Sequence, residues 1–459
     1  MEGVIPMKRS LTTKETVAIT SMLFGLFFGA GNLIFPAFMG QEAGSNVWYA
    51  LAGFLITGVG MPMLAVTALG ITGSSGLLNL SQCIGRRFGL IFTCALYLTI
   101  GPFFASPRCV TVPFEIGAKA LLPAGFNEQL ALFLFSLAFM AAALWFSLRP
   151  GKILVWTGKI LTPLFLVVLG VLLAAALTQP TSTITAFPPT PAYTTAPVLQ
   201  GLLDGYNTMD TLAGLAFGII VVDVIRKLGI KDSGAIAKNT IKAGVFSCLL
   251  MGIIYILVAL AGAESRGYAP INGNGGAVLA SISAYYFSDA GAALLALIVL
   301  FACLKTVIGL ITSCSEAFVA MFPGKFTYEQ LSIAFAIITF LIANVGLSAI
   351  IQFSIPVLMM LYPIAIMLTL TSLAGHICGL DRLVVRSIMT MVVFSSVFDF
   401  IKALPPTWLT AFGLNGFVTA LTAVLPFFAQ GFGWILPALL GLVIGIILKI
   451  LRTKTNGSQ

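Results

Sequence analysis

Charged side chains are scarce in this chain of 459 residues. Lys, Arg, Asp and Glu together make up 8% of it and hydrophobic residues 59%, whereas about a quarter of the residues in a soluble globular protein are charged. Apolar runs of about 20 residues, enough to cross a bilayer, recur along the whole length. The composition excludes a water-soluble protein and predicts an all-α integral membrane protein, whose surroundings are the lipid bilayer.

Histidine and paired cysteines are also lacking. The chain has one histidine, His376, and none of its seven cysteines forms a C-x-x-C pair. A bound metal needs several such ligands close together, and a membrane enzyme needs a cluster of His, carboxylates or nucleophiles at one depth. We therefore expect no enzymatic activity and no cofactor, and we interpret the cysteines as small buried hydrophobic residues.

Positive charge is in excess, with 24 Lys and Arg against 15 Asp and Glu. All but five of the basic residues fall at helix ends that a single topology places in the cytoplasm, as the positive-inside rule requires. The excess therefore indicates orientation and not nucleic-acid binding. It predicts a multi-pass protein of the cell membrane with both termini cytoplasmic. Separately, we expect this membrane to be a bacterial inner membrane and infer no obligate protein partner. The five exceptions are Arg108, Lys119, Arg266, Lys402 and Lys305.

Hydropathy predicts twelve spans. They cover approximately residues 16–40, 48–72, 89–111, 128–147, 152–177, 206–226, 239–262, 289–320, 329–345, 349–373, 385–403 and 430–450. The apolar stretch 408–427 is short and broken by Gly and Pro, so we interpret it as re-entrant or interfacial.

Two of these spans contain residues that form helices poorly. The first contains Gly29-Ala30-Gly31-Asn32 with Pro36 beyond it, and the sixth contains two glycines within 211–218. Small residues can simply let membrane helices pack closely. Interruptions at matching positions of two five-helix units are instead typical of inverted-repeat transporters and mark their binding site. We therefore predict that helices one and six are broken.

A broken helix offers specific chemistry at mid-membrane depth. The helix that resumes after the break presents free N–H groups and a positive dipole end, which suit a carboxylate. Carbonyl groups left by the breaks can accept from an ammonium group or coordinate a cation. The side chains around the breaks, among them Phe28, Leu212, Leu215 and Phe217, are apolar. The pattern therefore predicts a small-molecule substrate, a zwitterionic amino acid with an apolar side chain.

Long strings in the chain resemble the branched-chain amino acid:cation symporter (LIVCS) family, within the amino acid-polyamine-cation superfamily. They are MLFGLFFGAGNLIFP at 22–36, AGFLITGVG at 52–60, YLTIGPFFA at 97–105 and GYNTMD at 205–210. The resemblance covers nearly the whole chain. It implies cation-coupled, normally sodium-driven, import of leucine, isoleucine and valine by alternating access. It also implies a five-plus-five inverted-repeat, LeuT-like fold in one domain of residues 1–459, with repeats at about 16–177 and 206–373 and added helices at about 385–450.

The resemblance also implies roles for individual residues. Gly29, Ala30, Gly31 and Asn32 would bind substrate, with the N–H groups of Ala30 and Gly31 on its carboxylate. Gly214 and nearby carbonyls would take the amino group, Phe217 would border the side-chain pocket, and Tyr97 would form another wall. A sodium site would lie between the carbonyls of Gly25 and Phe28 and the eighth span, at Ala302 and Thr306.

The eighth span departs from the family at residue 305. Where the family has two adjacent threonines, this chain has Lys305-Thr306. A lysine at the centre of a span costs about 3 kcal/mol on insertion scales, so an intramembrane lysine is a hypothesis of function. Sodium remains the coupling ion that the family implies. The alternative is a sodium-independent or proton-coupled carrier of apolar amino acids, in which Lys305 replaces the sodium ion.

Two other kinds of membrane protein fit the sequence less well. A major-facilitator permease also has twelve spans, but Gly85-Arg86-Arg87 lacks the Asp that accompanies this motif there. A channel has a selectivity-filter string or a charged ring, and neither is visible.

Overall fold

A computed structural model of the chain describes residues 11–74, 76–123, 125–180 and 183–456, and every regular element in these ranges is helical. Of the basic residues behind the predicted orientation, Lys8 and Arg9 lie outside the described residues.

The first part of the chain, up to residue 178, forms nine α-helices. They are α1 (Thr13–Phe27), α2 (Ala30–Ala43), α3 (Val47–Leu55), α4 (Met61–Ile71), α5 (Leu77–Ser81), α6 (Arg86–Leu98), α7 (Ala105–Ile116), α8 (Glu128–Ser147) and α9 (Thr162–Thr178). Wider π-helical turns join α3 to α4 (Ile56–Gly60) and α6 to α7 (Thr99–Phe103), and a third, Leu154–Leu161, leads into α9. Such turns are often found at functional sites.

The second part of the chain forms eleven more helices. They are α10 (Pro197–Asn207), α11 (Asp210–Lys227), α12 (Ser233–Glu264), α13 (Gly275–Phe287), α14 (Asp289–Met321), α15 (Tyr328–Ala343), α16 (Leu347–Ile377), α17 (Arg382–Lys402), α18 (Pro406–Ala411), α19 (Asn415–Val424) and α20 (Ile435–Asn456).

Ten segments of the described chain are helical, long and apolar enough to cross a membrane. Each of the twelve predicted spans coincides with helix. The two that fall short of a full span are the first, which is divided into α1 and α2, and the ninth, in which α15 has 16 residues. Residues 408–427 fall on α18 and α19, of 6 and 10 residues, which are too short to cross a bilayer.

The first helix is interrupted where the glycines predicted it. α1 ends at Phe27, Phe28 and Gly29 have extended backbone, and α2 begins at Ala30. Gly31 and Asn32 belong to the first turn of α2 and not to the break itself. Glycine suits position 29 because a Cβ atom there would stand 3.1 Å from Thr306 Cγ2 of α14.

The sixth helix is also interrupted, but earlier than the glycines indicated. α10 ends at Asn207 and α11 begins at Asp210, with Met209 in the left-handed region at φ 64°. Gly214 and Gly218 lie inside the continuous helix α11. A Cβ atom at Gly214 would lie 3.1 Å from the carbonyl oxygen of Pro62 in α4. These glycines therefore let α11 pack closely on α4, which is why they do not mark the break.

Most of the buried apolar side chains form one cluster, to which helices from α1 to α20 contribute. Helices α1, α11 and α14 contact each other in the middle of the molecule, and α2 packs along α12. Many large apolar side chains are exposed on outer helices, for example Phe246, Val443 and Ile447. This is the arrangement expected where a helix faces lipid.

Candidate functional site

A narrow cavity of about 30 Å³ lies where the two interrupted helices meet. Its polar lining comes from Gly29, Ala30, Gly31, Asn32, Arg108, Thr208, Asp210 and Thr306. Its apolar lining includes Ile100, Ala105, Ala213, Phe217 and Leu310. We call this space the central cavity.

The N-terminus of α2 opens onto the central cavity. The residue that precedes it, Gly29, has no side chain to cap it, and no side-chain cap is present. The N–H groups of Ala30 and Gly31 belong to the first turn and so have no acceptor within their own helix. Together with the positive end of the helix dipole, they form a binding place for an anion.

A buried polar cluster joins the two breaks. The Asn32 amide Nδ2 donates to both carboxylate oxygens of Asp210, at 2.8 and 2.9 Å, and also contacts the Tyr255 hydroxyl. The Tyr255 hydroxyl donates to Asp210, and Asn32 Oδ1 accepts from the Gly29 N–H at 2.8 Å. All of these side chains are buried. The cluster therefore ties α2, α11 and α12 together at the central cavity.

Lys305 is a residue of α14, and its side chain reaches the C-terminus of α1. Its Nζ donates to the carbonyl oxygens of Phe28 at 2.6 Å and of Gly25 at 3.2 Å, and its side chain is fully buried. The neighbouring Thr306 hydroxyl donates to Ala302 O at 3.1 Å and to Gly25 O at 3.4 Å. A helix C-terminus carries unsatisfied carbonyls and partial negative charge, so it stabilises a cation.

Three aromatic rings surround the Lys305 ammonium. Nζ lies 4.4 Å from the ring centroid of Phe165, 5.4 Å from that of Phe24 and 5.6 Å from that of Phe28. Ring faces attract a cation, more so where water is excluded. No carboxylate lies within 4.0 Å of Nζ among the described residues. Carbonyls and rings therefore stabilise this side chain in place of a counter-ion.

The structure brings most of the predicted site residues together. Gly29, Ala30, Gly31, Asn32 and Phe217 line the central cavity. Hydrogen bonds from Lys305 and Thr306 link the predicted cation-site residues, which are Gly25, Phe28, Ala302, Lys305 and Thr306.

Two predicted residues lie away from the cavity lining. Gly214 faces α4, as described above. The Tyr97 hydroxyl donates to the carbonyl oxygen of Ala216 at 2.9 Å, and the Ser313 hydroxyl donates to the same oxygen at 2.9 Å. Tyr97 therefore joins α6 to α11, at a carbonyl that α14 also contacts through Ser313.

Several residues that line the central cavity were not among the predicted site residues, and those that matter most for its chemistry are Arg108, Thr208, Met209 and Asp210. Two signals in the sequence could have found them. Thr208, Met209 and Asp210 lie within the family string GYNTMD, and Arg108 was one of few basic residues outside the predicted cytoplasmic ends. The Met209 backbone conformation had no signal, because methionine has no preference for positive φ.

A second, larger cavity of about 730 Å³ lies along the same helices. Ile34 of α2, Glu115 and Ile116 of α7, residues 273–280 and residues 347–355 of α16 line it. On α7, Arg108 of the central cavity and Glu115 of this second one are separated by about 10 Å of helix, and we call the second space the outer cavity.

Sequence comparison with known proteins finds relatives that are described as transporters of branched-chain amino acids. Residues 12–452 match the family described as branched-chain amino acid transport protein. The chain is 49% identical to the branched-chain amino acid permease BrnQ of Lactobacillus delbrueckii subsp. lactis, covering 98% of each chain. It is 39% identical to BrnQ of Bacillus subtilis (98% of this chain, 100% of the relative) and 34% identical to BrnQ of Escherichia coli K12 (99% of each).

Solved structures match the fold. The chain resembles the nucleobase-cation-symport-1 family transporter Mhp1 in a closed conformation with bromovinylhydantoin bound, with a TM-score of 0.60 at 14% identity, covering 98% of this chain and 96% of that one. The inward-facing conformation of Mhp1 matches with a TM-score of 0.55 at 13% identity, covering 95% and 91%. At this identity the likeness concerns the fold alone. It confirms the predicted LeuT-like, all-helical membrane fold.

Proposed function

The chain belongs to the branched-chain amino acid transport protein family, and we propose that it imports leucine, isoleucine and valine by alternating access without a sodium ion. The membership of this family is what identifies the chain as a branched-chain amino acid transporter. The substrate position and the coupling are our proposals. The observation that carries them is the central cavity between the two helix breaks, with an uncapped helix N-terminus on one side and the Lys305 ammonium behind it.

The cavity lining suits an amino acid with an apolar side chain. The N–H groups of Ala30 and Gly31 face the carboxylate, and Ile100, Phe217 and Leu310 border the side chain. The amino group needs an acceptor or a negative charge. Because the backbone of Gly214 lies within a continuous helix, we assign the amino group to the Asp210 carboxylate, which lines the cavity and has lone pairs to spare.

The residues around Lys305 do not fit a sodium ion. The carbonyls of Gly25 and Phe28 would be good sodium ligands, because hard cations prefer oxygen. Both, however, already accept from the Lys305 ammonium. A second positive charge at this point would be repelled in a medium of low dielectric constant. We therefore propose that Lys305 acts as a tethered cation, and that an inward proton gradient supplies any coupling.

Labelled leucine uptake into proteoliposomes tests this proposal. We expect the native chain to show counterflow, meaning faster entry of labelled leucine into vesicles preloaded with unlabelled leucine, and equal rates in sodium and in choline. Lys305→Thr supplies the second hydroxyl that the family has, and we expect it to transport at least about tenfold faster in sodium than in choline, which corresponds to about 1.4 kcal/mol of sodium-dependent stabilisation.

The matched control is Lys325→Thr, at an exposed lysine beyond the end of α14, which should behave as the native chain. Absence of counterflow with all three branched-chain amino acids would reject the transport proposal. Strong sodium stimulation of the native chain would reject the tethered cation and leave transport intact. Uptake that accelerates with an inward pH gradient identifies the proton as the coupling ion.

A further inference from the structure

The central cavity contains a buried arginine that the family assignment does not explain. Arg108 lies in α7 and is 4% exposed. Its guanidinium lines the cavity and lies 5.3 Å above the Phe35 ring centroid. Its Nη2 lies 2.9 Å from where a Cβ atom at residue 31 would stand. The charged end of the side chain is therefore next to the first turn of α2.

Within the described part of the chain, Arg108 makes no salt bridge. No carboxylate oxygen lies within 4.0 Å of its guanidinium among the described residues, and its buried Nε–H has no hydrogen-bond partner. Asp210 lines the same cavity, but its oxygens accept from Asn32 and Tyr255. A buried guanidinium is stable only when its charge and its donors are paired.

We propose that Arg108 binds the carboxylate of the transported amino acid, together with the N–H groups of Ala30 and Gly31. This inference rests on the proposed function, because it takes an amino acid to be the substrate. Two independent features that attract an anion, an uncapped helix N-terminus and an unpaired guanidinium, meet at one point of the cavity. Guanidinium matches a carboxylate well, since its planar N–H groups can contact both oxygens.

The small size of residue 31 contributes to the same binding site. With glycine there, the guanidinium reaches the first turn of α2. A side chain at 31 would stand in that space and push the arginine away from the N–H groups. The carboxylate of a substrate would then lose one of its two partners.

The proposal predicts selection for a free carboxylate. Leucinamide has the same side chain and amino group as leucine but no negative charge. In the native chain it would leave the Arg108 charge unpaired, and sites built around a polar partner strongly reject ligands that lack it. We therefore expect leucinamide to bind the native chain at least about a hundredfold more weakly than leucine.

Ligand-induced thermal stabilisation of the purified full chain measures this selectivity, because a ligand that binds the folded state raises the unfolding temperature with its concentration. We expect Arg108→Met to weaken leucine binding about a hundredfold and to change leucinamide binding less than about threefold, so that the preference disappears. Arg108→Lys should keep part of it, since lysine retains the charge without the planar fork.

Gly31→Ala is a second variant, which leaves the arginine in place and should also reduce the preference for leucine. Arg149→Met is the control, because Arg149 is exposed and stacks on Trp145, 4.1 Å from its ring centroid. It should match the native chain. If leucine does not stabilise the native chain, the proposed function fails. If the native chain prefers leucine and the Arg108→Met and Gly31→Ala variants keep the same preference, or lose both ligands equally, Arg108 does not bind the carboxylate.

Discussion

Asn32 uses one side chain to join three helices. Its Nδ2 donates to Asp210 in α11 and contacts Tyr255 in α12, while its Oδ1 accepts from the Gly29 N–H at the break. Asparagine suits this position because its amide has a donor end and an acceptor end. A leucine of similar size could do neither. The residue therefore holds the shape of the break by hydrogen bonds and not by apolar packing.

Asn32→Leu should lower both the stability and the leucine binding of the purified chain. It leaves the Gly29 N–H without its partner and removes the Asn32 bonds to Asp210, which keeps only the Tyr255 hydroxyl. A buried polar group left unpaired costs about 1–3 kcal/mol. The measurement is the apparent unfolding temperature with and without leucine. Asn239→Leu is the control, since the Asn239 amide donates only to Ala235 within its own helix, at 2.8 Å. Equal losses in the two variants would show that the cluster has no special role.

Helix α2 is positioned by close contact between backbones. A Cβ atom at Gly40 of α2 would overlap the carbonyl oxygen of Ala259 in α12, and one at Gly262 would overlap that of Ala37. Small residues allow this approach in membrane helices, where apolar burial alone does not favour one helix neighbour over lipid. The N-terminus of α2, which opens on the central cavity, is therefore held in place by glycines far from it in sequence.

Gly262→Val should reduce leucine counterflow at least about tenfold, because separating α12 from α2 also moves the N–H groups of Ala30 and Gly31, and small displacements of a binding group are costly. Gly170→Val in α9 is the control, because it makes the same substitution where nothing lies within 4 Å of a Cβ atom. It should transport as the native chain does. Comparable rates of leucine counterflow in the two variants would show that transport does not depend on the α2–α12 contact.

At the scale of the whole molecule, the two sides of the central cavity differ. The outer cavity, of about 730 Å³, lies in the size range of ligand sites and borders the C-terminal end of α7. On the opposite side of the central cavity, hydroxyls of Tyr97 and Ser313 share the Ala216 carbonyl and join α6, α11 and α14. With the proposed orientation, the outer cavity lies on the extracellular side.

Gln352→Cys tests that orientation. Gln352 is exposed and lines the outer cavity, so a membrane-impermeant maleimide added to intact cells should label this variant. The native chain has two exposed cysteines, Cys83 and Cys378, both at helix ends that are proposed to be cytoplasmic. It should be labelled only after permeabilisation. Labelling of the native chain but not of the added cysteine in intact cells would reverse the orientation.

Hydropathy and glycine placement predicted a large part of this architecture. Apolar length locates every span, since a helix in lipid must satisfy its backbone internally and be long enough to cross. The cluster from Gly29 to Asn32 located the first break. The same reasoning misplaced the second, because Gly214 and Gly218 serve contacts with α4. A glycine in a membrane helix has two uses, and only the neighbouring helix distinguishes them.

The sequence by itself therefore determined the membrane class, the spans, the family and the fact that Lys305 stands where a hydroxyl is usual. Only the tertiary structure decided what those residues contact. Lys305 meets the Phe28 carbonyl across 277 positions of sequence, and Asn32 meets Asp210 across 178. It also decided that Arg108, one of the five basic residues outside the predicted cytoplasmic ends, lies buried in the central cavity. Composition and periodicity are local properties, whereas a buried charge is paired by whatever the packing of distant helices brings within hydrogen-bonding distance.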